Sequence, residues 1–120
     1  MSVNSDPNTI TLQEVGSLLE AEVLFGDDLS VRIGEIGAAD LMSDVLALSK
    51  PGMLLLTGLM NPQVIRTAIV ADLCGVVFVR GKKPGDSILS LAREAGIPVL
   101  GTSSTMFEAA GRLYKAIHGR

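Results

Sequence analysis

The pattern that most constrains this fold is an alternation, after residue 50, between short apolar runs and helical periods. Met53 to Thr57 and Val76 to Val79 are continuous apolar runs, as strands covered on both sheet faces should be, and Pro98 to Gly101 reads as a third strand. Asn61-Pro62 starts a helix, with Asn as the cap and Pro in the first turn. Val64, Ile65, Ala68 and Ala71 turn that helix inward, and Gly75 is placed to close it. Asp86 reads as the cap of a helix with Ile88, Leu91, Ala92 and Ala95 on one face, and Gly96 holds the left-handed position at its end. Thr105 to Glu108 has capping-box spacing, and Met106, Ala110, Leu113 and Ile117 face the core from the closing helix. Right-handed crossovers then give a three-stranded parallel sheet with helices packed on it.

The first third of the chain is less regular. Thr11 to Glu14 is another capping box, Ile10 and Val15 are placed as its hydrophobic staple, and Leu12, Val15, Leu18 and Leu19 form one helix face. Glu22 to Gly26 reads as a strand and Asp27-Asp28 as a turn. Ser30 to Ile36 alternates, with Val31, Ile33 and Glu35 on one side, and is expected to pair antiparallel with the strand before it. Leu41, Val45 and Leu48 repeat as a helix would, up to the stop at Ser49-Lys50-Pro51-Gly52. Residues 1–9 read as a flexible tail and 10–120 as one α/β domain, a mainly parallel sheet flanked by helices. A chain of 120 residues can bury one such core without staples.

Several function classes are disfavoured. With 3% aromatic residues and a formal net charge of -3, the chain is poorly equipped to stack bases or to neutralise a phosphate backbone. Its densest cationic run, Arg80-Gly81-Lys82-Lys83, is too short for a nucleic-acid arm. One cysteine, Cys74, and one histidine, His118, form neither an intrachain disulfide nor a conventional zinc site, so no metal and no cofactor is expected. The polar start MSVNSDPN lacks signal-peptide layout, and no apolar run is long enough for a bilayer; a cytoplasmic location and no membrane partner are expected. Neither GxxxxGK[ST] nor GxGxxG occurs. His118, two residues from the end, reads as a partner of the last helical carbonyls, which leaves no His-based triad in the body of the domain. Asp40 and Asp44 are four apart, the spacing of a carboxylate pair for acid/base work, and are read as the solvated face of a helix. Cys74 reads as a small buried hydrophobe rather than a reactive thiol. The chain is expected not to be an enzyme.

What remains is the rim. In open α/β sheets ligands bind beyond the carboxyl ends of the strands. Here those ends carry Thr57-Gly58, Arg80-Gly81-Lys82-Lys83 and Gly101-Thr102-Ser103-Ser104, each before a helix start. Backbone amides there could hold a small anion such as a phosphate; the same residue types also serve ordinary turns and caps. The candidate ligand-binding residues are Thr57, Gly58, Arg80, Gly81, Lys82, Thr102 and Ser103.

Four segments together resemble DRTGG domains: Ala39 to Ala47, Lys50 to Leu54, Ala71 to Val77 and Ala95 to Thr102, with Thr105 to Leu113 fitting as well. The resemblance spans about residues 10–118 and is strongest to short, stand-alone members. It implies a fold like the N-terminal domain of HPr kinase/phosphorylase and of the Mur ligases. It also implies a regulatory or structural, dimer-forming module without catalytic activity of its own. The family's namesake letters are altered: Gly58-Leu59-Met60-Asn61 stands in place of the Asp-Arg, and Val79-Arg80-Gly81-Lys82 in place of the Thr-Gly-Gly. The expectation is therefore a homodimeric regulatory or scaffold domain sensing a small phosphorylated or nucleotide ligand. The alternatives are a protein-interaction module of an iron-hydrogenase-associated electron-transfer system, or a small phosphoryl- or acyl-transfer enzyme. A mean hydropathy of +0.43 in so small a chain is the residue-level reason to expect a dimer.

Overall fold

A computed structural model describes residues 8–119. The apolar runs become three central strands, β5 (Leu54–Thr57), β6 (Gly75–Phe78) and β7 (Val99–Gly101), paired parallel with Leu54 opposite Gly75 and Val76 opposite Val99. They are flanked by a strand on each side. β4 (Ile36–Ala38) runs parallel to β5, and β2 (Glu22–Phe25) antiparallel to β7. The sheet thus has five strands in the order β2-β7-β6-β5-β4 rather than the three expected.

Consecutive parallel strands lie side by side, so α2 (Met42–Leu48), α3 (Gln63–Val70) and α4 (Asp86–Ala95), as right-handed crossovers, share one face. Leu55, Val76, Phe78 and Val99 point to them. The alternate residues Leu54, Leu56, Val77 and Leu100 point to α1 (Leu12–Leu18) and α5 (Met106–His118). Full burial of these strands matches their continuous apolar character. Both expected capping boxes form, on Thr11 and Thr105.

Ser30 to Ile36 does not pair with β2. Its middle, β3 (Arg32–Ile33), pairs antiparallel with β1 (Ile10–Thr11), and its end becomes part of β4. The cause is the start of α1, whose first amides need acceptors: Leu12 donates to the Val31 carbonyl at 3.1 Å and Gln13 to that of Leu29 at 3.0 Å. Of the expected tail, residues 1–7 lie outside the described residues, while Thr9 accepts Arg32 Nε at 2.7 Å.

Other local expectations shift by a few residues. On α2 the buried side is Met42 and Val45, while Leu41 and Leu48 stay exposed; on α1 Leu18 is likewise exposed. At α3 the cap position belongs to Pro62, and Asn61 stands one residue before it, its side chain accepting the Gln63 amide at 2.8 Å. The end of α3 is closed not by Gly75 but by Asp72 in the left-handed region. Gly75 lies within β6, where a Cβ would sit 3.2 Å from the Pro98 carbonyl. At α4 the cap position belongs to Gly85, and Asp86 stands in the first turn, where the helix dipole still favours it.

Candidate functional site

The carboxyl ends of β5, β6 and β7 open on one edge of the sheet, and the seven residues expected there fall into two linked groups. The first surrounds Gly58. Thr57 is buried, and its hydroxyl donates to Asp40 Oδ1 at 3.1 Å and accepts the Leu59 amide at 3.2 Å. The same Asp40 oxygen accepts the Gly58 amide at 2.8 Å. Asp40 is therefore not on a helix face but on the chain leaving β4, where it organises the turn after β5. The signal that could have found it was the strand Ile36–Ala38, which makes Asp40 a strand-end residue. Asp44 does lie exposed on α2.

Arg80 and Lys82 converge on that turn. The chain after β6 passes through two successive left-handed residues, Arg80 (φ 62) and Gly81 (φ 69). Their amides donate to the carbonyls of Ser104 at 2.8 Å and Thr102 at 2.9 Å, which pins this loop to the one after β7. The Arg80 guanidinium lies against Gly58 so closely that a Cβ there would be 2.6 Å from Nη2. Lys82 Nζ donates to the Gly58 carbonyl at 3.0 Å. Among the described residues, no ion pair neutralises Arg80 or Lys82.

The second group lines an open cleft of about 220 Å³ between the loops after β6 and β7 and the start of β2, with Gly81, Lys82, Lys83, Thr102 and Ser103 facing Glu20, Glu22 and Leu24. Lys83 and Glu22 approach to 3.8 Å, both exposed, a weak pair in water. Thr102 is buried and its hydroxyl donates to the Leu19 carbonyl at 2.7 Å, so it fastens α1 to the sheet. Ser103 is exposed on the rim, and Arg112 Nη1 donates to Ser104 Oγ at 3.0 Å. The two threonines thus build the scaffold, while the cations and Ser103 face outward.

The first amides of α5 are partly committed to the Thr105 box. In return the Thr105 backbone amide, aided by the Thr105 hydroxyl and the Arg112 charge, holds the Glu108 carboxyl below the ordinary glutamate value. Burial pushes the Cys74 thiol up to about 11; it is half-buried just before β6, on the opposite edge of the sheet from the cations. His118 packs against the Tyr114 ring at 4.7 Å, at the far end of α5. Among the described residues no group of three or more His, Cys, Asp or Glu side chains is placed to hold a metal, and no helix is long and apolar enough to cross a membrane. Electrostatically the rim is divided: Arg80 and Lys82 stand together at Gly58, while in the cleft Lys82 and Lys83 face Glu20 and Glu22.

A family model described as the DRTGG domain matches residues 14–116. The chain belongs to the DRTGG domain family. Its fold is also similar to a crystal structure of the CBS and DRTGG domains of the regulatory region of Clostridium perfringens pyrophosphatase, complexed with the activator diadenosine tetraphosphate. The TM-score is 0.72 at 17% identity, covering 89% of this chain and 47% of that one. This DRTGG domain thus spans about half the length of that regulatory region, and the likeness at this identity is one of fold. No curated protein matches the sequence.

Proposed function

We propose that this DRTGG domain is a non-catalytic regulatory module, homodimeric, that binds a small phosphorylated or nucleotide ligand at the carboxyl ends of β5, β6 and β7. The observation that carries the reading is the convergence of Arg80 and Lys82 on Gly58 with no ion pair to either among the described residues. Two cations held together on loops tied by backbone bonds favour a phosphate, since little ordering remains to be done on binding. Lys83 and Ser103 extend the site into the neighbouring cleft. That the Clostridium perfringens region was crystallised with a dinucleotide activator supports the ligand class to be tried first. Thr57, Gly58, Gly81 and Thr102 then serve as the frame that sets the cations rather than as direct contacts.

The exposed apolar residues Leu41, Leu48, Phe107 and Tyr114 favour a protein-facing role alongside ligand binding. The test is a thermal-shift series with diadenosine tetraphosphate, ATP, ADP, sugar phosphates and acetyl phosphate. A ligand that binds only the native state stabilises it by about 2.7 kcal/mol at a hundred times its Kd. A concentration-dependent rise in Tm that Arg80→Ala and Lys82→Ala abolish is expected; no rise with any class sinks the ligand part and leaves a scaffold.

A further inference from the structure

We propose that the open edge of β4 is the self-association face: two copies pair their β4 strands antiparallel about a two-fold axis at Gly37, joining two five-stranded sheets into one. The inference deepens the homodimeric part of the proposed function and rests on it.

Among the described residues β4 pairs with β5 alone. The Leu54 amide donates to Glu35 O at 3.0 Å and the Ala39 amide to Leu56 O at 3.1 Å. Residues 35 and 39 therefore face inward, and alternation turns the N–H and C=O groups of Ile36 and Ala38 outward. An edge of this kind is ordinarily blunted by a proline, a charge, a bulge or its own brevity; Ile36-Gly37-Ala38 has none of the first three, and its three residues leave room for one pair of exchanged bonds on each side of the axis. The register is self-complementary. In an antiparallel ladder, facing residues exchange both bonds, and an axis at Gly37 sets Ile36 against Ala38 of the second copy, both outward. A slip of one residue would set outward groups against inward ones.

The edge is flanked by apolar side chains on both faces. Leu48 (77% exposed) stands on α2, and Phe107 (88%) and Tyr114 (68%) on α5. Tyr114 borders one hollow with Ile36 and Ala38, and Leu48 borders another with Val45 and Met53. α5 packs across β4 and β5, and α2 is the crossover between them. With strands about 4.8 Å apart, helices seated over the β4–β5 gap in two copies would lie about 10 Å apart, the distance at which helices pack. Gly111, with open space at its Cβ position, lies between Phe107 and Tyr114 on α5 and admits a close neighbour. Charge does not oppose the pairing. α2 has Asp44 in its first turn, without an ion pair among the described residues, and Lys50, just past its end, approaches Glu35 of its own chain at 3.5 Å, an exposed pair; the two-fold brings Lys50 of one copy toward Asp44 of the other, where it can exchange one exposed carboxylate for another. A lone peptide strand would satisfy the edge but leave Leu48, Phe107 and Tyr114 in water. A second copy covers both faces, which selects it as the occupant.

The test is sedimentation of the full chain at up to about 100 μM, with amide hydrogen exchange at Ile36 and Ala38 across that range. A dimer is expected, with both amides gaining protection as concentration rises. Ala38→Pro removes an outward amide and spares the inward bonds, and Tyr114→Glu charges the helix contact. Each is expected to raise the dissociation constant at least about tenfold, or 1.4 kcal/mol, without altering the ligand-induced rise in Tm. A monomer throughout overturns both the dimer and this face. A dimer in which Ile36 and Ala38 stay unprotected and Tyr114→Glu has no effect overturns the face alone. Should Ala38→Pro fail to fold, exchange in the native chain decides.

Discussion

The carboxylate of Asp40 accepts the backbone amide of Gly58 at 2.8 Å, so a side chain that follows β4 fixes the turn that follows β5. The same oxygen takes the Thr57 hydroxyl. Asp40→Ala leaves both donors without their acceptor. A hydrogen bond to a charged group contributes about 1.5–3 kcal/mol, and a loss of that size in urea unfolding is expected. Asp40→Asn keeps an acceptor oxygen and should lose less. Equal stability of Asp40→Ala and the native chain would show that the turn holds itself.

Gly58→Ala probes the next layer. The added Cβ would meet Arg80 Nη2 at 2.6 Å, yet the atom it meets is the far end of a flexible chain. Gly58 has no left-handed φ to lose, so stability should change by less than about 1 kcal/mol. The guanidinium, however, must leave its seat. The ligand-induced rise in Tm is expected to shrink toward that of Arg80→Ala. If Gly58→Ala keeps the full response while Arg80→Ala loses it, Arg80 acts from a different position than the one over Gly58.

The parts of this fold that were legible in the sequence are those where one residue pattern serves one purpose. Leu54 to Leu56 and Val76 to Phe78 are apolar without a break because both sheet faces are covered, and Thr105 with Glu108 marks a helix start by its own chemistry. Strands of two or three residues such as β3 and β4 carry too few positions to show a period. Their partners are set by tertiary demands, here the unsatisfied amides of α1. The rule of carboxyl ends puts Arg80, Lys82 and Ser103 on the rim, and they lie exposed there. Asp40 was missed because its strand was missed. That Thr57 and Thr102 spend their hydroxyls on Asp40 and on the Leu19 carbonyl depends on contacts across 17 and 83 residues, beyond the reach of local pattern.

Three helix ends share one closure with different residues at the key position. After α1, Ala21 donates to the Gly16 carbonyl; after α3, Leu73 to that of Ala68; after α4, Ile97 to that of Ala92. Each closure places the preceding residue in the left-handed region: Glu20 (φ 49), Asp72 (φ 56) and Gly96 (φ 71). Only glycine adopts that region without a Cβ penalty. Glu20→Gly should therefore stabilise the domain by about 0.5–1 kcal/mol, and Asp72→Gly by less, because Asp tolerates the region better. Gly96→Ala should destabilise it by about 1 kcal/mol. Denaturant midpoints check the order; a loss of stability in Glu20→Gly would mean that its side chain does more at the cleft than its backbone costs.

The capping box of α5 sets a pH dependence with a definite sign. The Thr105 amide donates to Glu108 Oε1 at 2.9 Å and lowers the carboxyl's pKa in the folded state. A group lowered on folding contributes its stability above the unfolded glutamate value and loses it as pH falls through the folded one. Asp28, lowered by the Ser30 hydroxyl and amide, acts in the same direction. Tm should therefore decline as pH falls through the carboxylate range. Glu108→Gln still reaches the Thr105 amide, because glutamine also completes a capping box, so its Tm near neutrality should stay close to native. Its decline in acid should be shallower, and shallower again with Asp28→Asn added. Thermal melts at a series of pH values check this. A Glu108→Gln profile that parallels the native one through the whole acid range would show that the Glu108 carboxylate gains nothing from its partners on folding.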